Sequence, residues 1–87
     1  MKKVYKYTID RTYNIIDMPK GAQLLDVQVQ NGYPQLWALV DPDAEMEERY
    51  LTIVGTGHDI GLGNMEYVGT YQIDGGIFIF HVFEGKI

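Results

Sequence analysis

The stretch that decides the fold is Leu25-Asp26-Val27-Gln28-Val29-Gln30-Asn31-Gly32-Tyr33. Apolar and polar residues alternate over its first six positions, which is the pattern of a strand with one buried face. Asn-Gly follows, and this dipeptide is the strongest short-range signal for a two-residue hairpin turn. A second strand is predicted from Tyr33 to Asp41. The turn also sets the predicted pairing, which is Gln30 with Tyr33, Val27 with Leu36 and Leu25 with Ala38.

This hairpin is predicted to have one apolar and one polar face. The apolar face is expected to be core, and it consists of Leu25, Val27, Val29, Leu36, Ala38 and Val40. The other face is polar apart from two aromatic residues, Tyr33 and Trp37. Because aromatic side chains on a polar face can stack on a planar ligand, we expect this face to be either solvent-exposed or a binding surface.

The rest of the chain has the same character, with short runs rich in Val, Ile, Tyr, Phe and Thr between Gly, Pro and Asn. Further strands are predicted at 3–9, 13–18, 49–54, 66–73 and 77–83. The last two form a hairpin that is apolar on both faces, which suits a central or interface position. The nearest approach to a helical pattern is 44–50, a run of acids without an apolar stripe. We therefore expect one all-β domain over residues 1–87, a small antiparallel barrel or sandwich of about seven short strands built from hairpins.

Composition narrows the range of functions. The chain has 87 residues, no cysteine and a net charge of −5, with only seven Lys and Arg residues. Binding to a nucleic-acid polymer depends on such cations, so it is not expected. No apolar run is long enough for a membrane span, and a cysteine-free chain favours the cytoplasm. Because so short a chain builds only a modest core, we expect it to form a homo-oligomer.

The most distinctive loop is Gly55-Thr56-Gly57-His58-Asp59 together with Gly61-Leu62-Gly63. Its glycines would let backbone N–H groups approach a phosphate, with Thr56 and His58 adding side-chain donors. The alternative is an ordinary connection in which glycine serves turn geometry. Our candidate ligand-binding residues are Tyr33, Trp37, Thr56, Gly57, His58 and Asp59.

Catalytic signatures are sparse. The chain has no serine and only two histidines, His58 and His81. Neither forms a spaced ligand pair, so no metal site, no cofactor and no catalytic residue is assigned. His81, between Phe80 and Val82, is interpreted as a structural histidine. The enzymatic alternative is a small hydrolase or lyase that uses His58 with Asp59 and Thr56.

The chain contains six short motifs, Met18-Pro19-Lys20-Gly21-Ala22, Val27-Gln28-Val29-Gln30-Asn31-Gly32, Leu36-Trp37-Ala38-Leu39-Val40-Asp41-Pro42, Gly55-Thr56-Gly57-His58, Gly69-Thr70-Tyr71-Gln72 and His81-Val82-Phe83-Glu84. Together these motifs resemble a family of small uncharacterised phage and prophage proteins. The resemblance implies an accessory protein made in the cytoplasm of an infected bacterium. The leading hypothesis is a non-enzymatic binding module for counter-defence, which sequesters a nucleotide-like signal or occludes a host protein. A structural virion or assembly module is a further alternative.

Overall fold

The computed structural model describes residues 1–61 and 63–85, so that Leu62 of the predicted loop lies outside the described residues. Seven strands follow one another in this part of the chain, and none of its residues is in an α-helix. The strands are β1 (Lys3–Thr8), β2 (Tyr13–Pro19), β3 (Gln23–Gln30), β4 (Tyr33–Val40), β5 (Met46–Gly55), β6 (Met65–Ile73) and β7 (Phe78–Gly85). The predicted all-β class is confirmed.

The strands form two sheets that pack as a sandwich rather than a closed barrel. One sheet has three strands in the order β1-β4-β3, and the other has four in the order β2-β5-β7-β6. Every strand pair is antiparallel. Because β7 has a neighbour on each side, the predicted central position of the last hairpin is confirmed for this strand, whereas β6 lies at the edge of the sheet.

The β3–β4 hairpin forms as the sequence predicts. Asn31 and Gly32 both have positive φ, at 54° and 83°, as a two-residue type I′ turn requires. Gln30 pairs with Tyr33 and Val27 with Leu36, so these two predicted pairs are confirmed.

The predicted pairing of Leu25 with Ala38 is wrong. A β-bulge shifts the register between Leu24 and Asp26, so that Leu24 lies opposite Ala38 and Leu25 is 46% exposed. The Asp26 carboxylate accepts a hydrogen bond of 2.8 Å from the backbone N–H of Val27, next to the bulge. The interruption of the ladder thus turns Leu25 out of the core.

The core lies between the two sheets. Its fully buried large side chains are Ile9, Met18, Leu36, Val40, Leu51 and Val82. On the four-stranded sheet, Met18, Leu51 and Val82 point inward, so their neighbours in sequence point to the opposite side. That opposite side is called the four-stranded outer face below.

β5 begins at Met46 rather than at the predicted Arg49. Its first residues pair with the end of β2, where Met46 lies opposite Pro19. The backbone N–H of Lys20 donates to the carbonyl of Glu45, which extends the contact beyond the strands. The acidic residues Glu47 and Glu48 therefore form part of strand β5, because they pair with Met18 and Asp17 of β2. β2 is an edge strand, where proline is tolerated.

Candidate functional site

The four-stranded outer face carries many of the large exposed apolar side chains of the described residues. Its most exposed members are Tyr13 (74%), Ile15 (63%), Met46 (60%), Tyr67 (58%) and Ile79 (38%). Tyr50, Val54 and Phe83 lie half-buried among them. The rings of Tyr67 and Phe83 meet edge to face with their centroids 5.7 Å apart. Clustered exposed apolar side chains of this kind mark interaction surfaces.

A polar network crosses the centre of this face. The Nε2 atom of His81 lies 2.7 Å from the Thr56 hydroxyl, and its Nδ1 atom lies 3.0 Å from the Thr70 hydroxyl. The Thr70 hydroxyl lies 2.6 Å from the Tyr67 hydroxyl. Both imidazole nitrogens are therefore engaged, and the orientation of the ring is fixed by its neighbours.

One end of the same face is acidic. Asp17 and Glu48 lie directly opposite each other on β2 and β5. Like charges at such cross-strand positions are unfavourable. The Tyr50 hydroxyl donates a hydrogen bond of 3.2 Å to the Glu48 carboxylate. The negative charge of Glu48 raises the pKa of the Tyr50 phenol above its ordinary value.

A cleft of about 660 Å³ lies at the same end of the sandwich and is lined by Glu47, Glu48, Arg49, Tyr50, Glu66 and Glu84. Arg49 makes a bidentate ion pair with Glu84, and its Nη1 atom also donates to the carbonyl of Ala22 over 2.9 Å. Hydrogen bonding to Glu84 raises the pKa of the Arg49 guanidinium, while burial acts in the opposite direction. Because the Arg49 guanidinium is already bonded to Glu84 and Ala22, we assign the Arg49–Glu84 pair a structural role.

The structure does not gather the predicted ligand-binding residues into one place. Trp37 lies half-buried on the outer side of the three-stranded sheet, opposite Lys6 and Asp26. Thr56 lies at the end of β5 and bonds across the four-stranded outer face, on the other side of the molecule. Tyr33 lines a groove at the end of the sandwich, together with Tyr71 and Phe80. A single site that combines Trp37 with Thr56 is therefore not formed.

The loop residues serve local geometry in part. Gly57 has a φ of 86°, which favours glycine. The backbone N–H of His58 donates to the carbonyl of Gly55, and the His58 ring packs against Gly55. His58 and Asp59 are exposed. Thr56 pairs with His81, not with His58 as the enzymatic alternative assumed.

Sequence reasoning missed His81, Thr70 and Tyr67 as parts of the site. The position of His81 between two apolar residues on a strand favours a structural interpretation of this residue. The pairing of β7 with β6 puts Thr70 directly opposite His81. Alternation along the final hairpin is the sequence signal that assigns Thr70 and His81 to the same face.

A family model described as a domain of unknown function, DUF7352, matches residues 1–87. The chain belongs to the DUF7352 family. No curated protein and no solved structure matches this DUF7352 domain. Within residues 1–61 and 63–85, no group of three or more His, Asp or Glu side chains is placed to hold a metal ion. The described part of the domain also contains no helix long and apolar enough to cross a bilayer.

Proposed function

We propose that this DUF7352 domain is a non-enzymatic binding module whose four-stranded outer face covers a partner protein. The observation that carries the proposal is the set of exposed apolar side chains on that face, from Tyr13 and Ile15 to Tyr67 and Ile79. Tyrosine is enriched in protein interfaces because it combines a large rigid ring with a polar end. A flat sheet face suits a protein surface better than it suits a small molecule, which prefers a concave site.

The charge of the face indicates the chemistry of the partner. Asp17 and Glu48 stand opposite each other at one end of the face, where their mutual repulsion is unfavourable in the free chain. Lysine or arginine side chains on a partner would relieve that repulsion and form ion pairs at the rim. The partner we propose therefore has an apolar surface with basic residues along one edge.

The same charge argues against a second copy as the occupant. Two copies would each bring a net charge of −5 to the contact, and neither would supply a cation to Asp17 or Glu48 from this face. A homo-oligomer, which the small core favours, is therefore the competing outcome of the experiment described below.

The biological setting is proposed from the resemblance to phage and prophage proteins. In that setting the domain is an accessory protein that acts in the cytoplasm of an infected bacterium, and its partner is a host protein. Occlusion of a defence protein is the function class that we infer, because covering a functional surface requires no chemistry from the bound domain.

The experiment is a quantitative affinity capture from bacterial lysate with three tagged forms, the wild type, Ile15→Lys and Val4→Lys. Ile15 is 63% exposed on the four-stranded outer face. Val4 is 55% exposed on the three-stranded sheet, which makes Val4→Lys a matched control. We expect one stoichiometric protein with the wild type and with Val4→Lys, reduced at least about tenfold with Ile15→Lys, since a buried lysine disrupts an apolar interface. The purified domain and the purified partner must then form the complex again, and their affinity must fall as the salt concentration rises.

Two results would overturn the proposal. One is a capture that Ile15→Lys leaves unchanged, because the partner would then bind elsewhere. The other is a solution mass that shows a stable dimer for the wild type and a monomer for Ile15→Lys, since a second copy would then occupy the face. Circular dichroism spectra of all three forms control for folding.

A further inference from the structure

A groove of about 430 Å³ opens at the end of the sandwich where β4 begins. It lies apart from the four-stranded outer face, and its walls come from both sheets. Its most informative lining residues are Asp10, Arg11, Tyr33, Ile53, Tyr71 and Phe80. Small-molecule sites commonly have volumes of about 300–1,000 Å³ and mainly apolar or aromatic walls. The groove is therefore large enough for one compact ligand.

The aromatic walls differ in exposure. Tyr71 is only 8% exposed, and its ring packs on Phe80 with the centroids 5.5 Å apart and the planes tilted by 32°. Tyr33 lines the same groove from the other sheet and is 59% exposed. Two rings are thus held by packing, while the third presents an exposed ring to the groove. Aromatic rings favour stacked and edge contacts with other planar rings.

A positive charge stands at the rim of the groove. Within residues 1–61 and 63–85, the Arg11 guanidinium forms no ion pair with a carboxylate. The backbone of Arg11 is fixed by the buried Asn14 side chain. Its amide nitrogen donates to the Arg11 carbonyl (2.7 Å), and its amide oxygen accepts from the Arg11 N–H (3.3 Å). The backbone N–H of Ile53 donates to the carbonyl of Thr12 (2.9 Å), which anchors the turn to the four-stranded sheet.

We infer that this groove binds a planar aromatic ring that bears an anionic group, which is the chemistry of a nucleotide. The ring contacts Tyr33, Tyr71 and Phe80, and the anion pairs with the Arg11 guanidinium, which suits phosphate and carboxylate geometry. The carboxylate of Asp10 at the same rim accepts N–H groups of the ring, so a heterocycle with ring donors fits better than a plain hydrocarbon ring.

The test is a nuclear magnetic resonance titration of the ¹⁵N-labelled full chain. The probes are guanosine and adenosine 5′-monophosphate, the matching nucleosides, inorganic phosphate and indole-3-acetate. We expect a ring-plus-anion probe to shift the amide signals around Arg11, Tyr33 and Tyr71, and the nucleoside to bind at least about tenfold more weakly because it lacks the charged group. Binding of either a nucleotide or indole-3-acetate supports the inference. The comparison of the two shows whether the anionic group that the groove prefers is a phosphate or a carboxylate.

Five variants make the result specific. Arg11→Gln is expected to weaken binding about tenfold or more, whereas Lys20→Gln, which removes an exposed cation in the turn after β2, leaves it unchanged. Tyr33→Leu weakens binding and Tyr33→Phe retains it. Ile15→Lys on the four-stranded outer face leaves it unchanged, which separates this site from the proposed protein interface. The inference is overturned if no ring-plus-anion probe shifts these signals at about 5 mM, a concentration that detects even millimolar affinity. It is also overturned if Arg11→Gln binds as tightly as the wild type.

Discussion

Gly69 on β6 faces Val27 on β3 so closely that a Cβ atom at position 69 would lie 3.2 Å from both the Cβ and the Cγ2 of Val27. These two strands belong to different sheets, so the two sheets approach closely at this point. Gly69→Ala is therefore expected to lower the free energy of unfolding by about 1–3 kcal/mol, as overpacking a core does. Urea denaturation followed by circular dichroism measures the change.

A second glycine provides the control for this prediction. A Cβ at Gly85 would meet its nearest neighbour, the Met65 sulfur, at an ordinary 3.8 Å. Gly85→Ala is thus expected to cost much less than Gly69→Ala. The double variant Gly69→Ala with Val27→Ala should lose less stability than the sum of the two single variants, because Val27→Ala removes the Cγ2 contact although the Cβ contact remains. Equal effects of the two glycine substitutions would show that the sheets do not approach at Gly69.

The Arg49–Glu84 ion pair is predicted to be a point of fragility. The side chains of Arg49 and Glu84 are only 17% and 12% exposed, so each charge depends on the other. Glu84→Gln is expected to destabilise the fold by about 3 kcal/mol, since it removes the carboxylate that is hydrogen-bonded to the mostly buried guanidinium and leaves only the weaker interactions with Glu47 and Glu66. The pair Arg49→Met with Glu84→Leu should cost less than Glu84→Gln. A larger loss for the double variant in urea denaturation would contradict this assignment.

Alkaline pH is predicted to destabilise the fold through Tyr71. Burial raises the pKa of its phenol above the ordinary value, and burial likewise raises that of Tyr7. The folded chain therefore holds these protons more tightly than the unfolded chain does. Their contribution to stability is complete below a pH of about 10, the unfolded pKa of tyrosine, and is lost as pH rises through the higher folded pKa.

The measurement is the urea midpoint as a function of pH. Tyr71→Phe removes one of the three tyrosines whose pKa is raised, the others being Tyr7 and Tyr50, so its stability should fall less steeply above a pH of about 10 than that of the wild type. Tyr13→Phe is the control, because Tyr13 is 74% exposed. If Tyr71→Phe and the wild type lose stability in parallel, Tyr71 does not contribute to the alkaline transition.

Much of the fold was predictable because local signals sufficed. Asn31-Gly32 defined one hairpin, and alternation placed Val27 and Leu36 on the same side. The error at Leu25 has a physical cause, since Leu24 and Leu25 are both apolar and the pattern gave no sign of which one faces inward. The bulge at that point is a property of strand pairing and is not encoded in hydrophobic periodicity.

The candidate site was less predictable because it depends on pairing between distant segments. Thr56 and His81 are 25 residues apart and meet only because β5 and β7 are neighbours in the sheet. The pattern of turns indicates consecutive hairpins, and it gives no sign that β5 pairs with β2 and β7. For the same reason, the sequence gives no sign that Trp37 and Thr56 lie on opposite outer sides of the sandwich.

The central claim is that the four-stranded outer face is the contact surface for a partner protein. The most direct test follows the methyl signals of the labelled domain by nuclear magnetic resonance as the purified partner is added. Our account predicts that the methyl groups of Ile15, Met46 and Ile79 shift or broaden, while those of Val4 and Leu25 stay in place. Changes confined to Val4 and Leu25, with Ile15 and Ile79 unaffected, would contradict it.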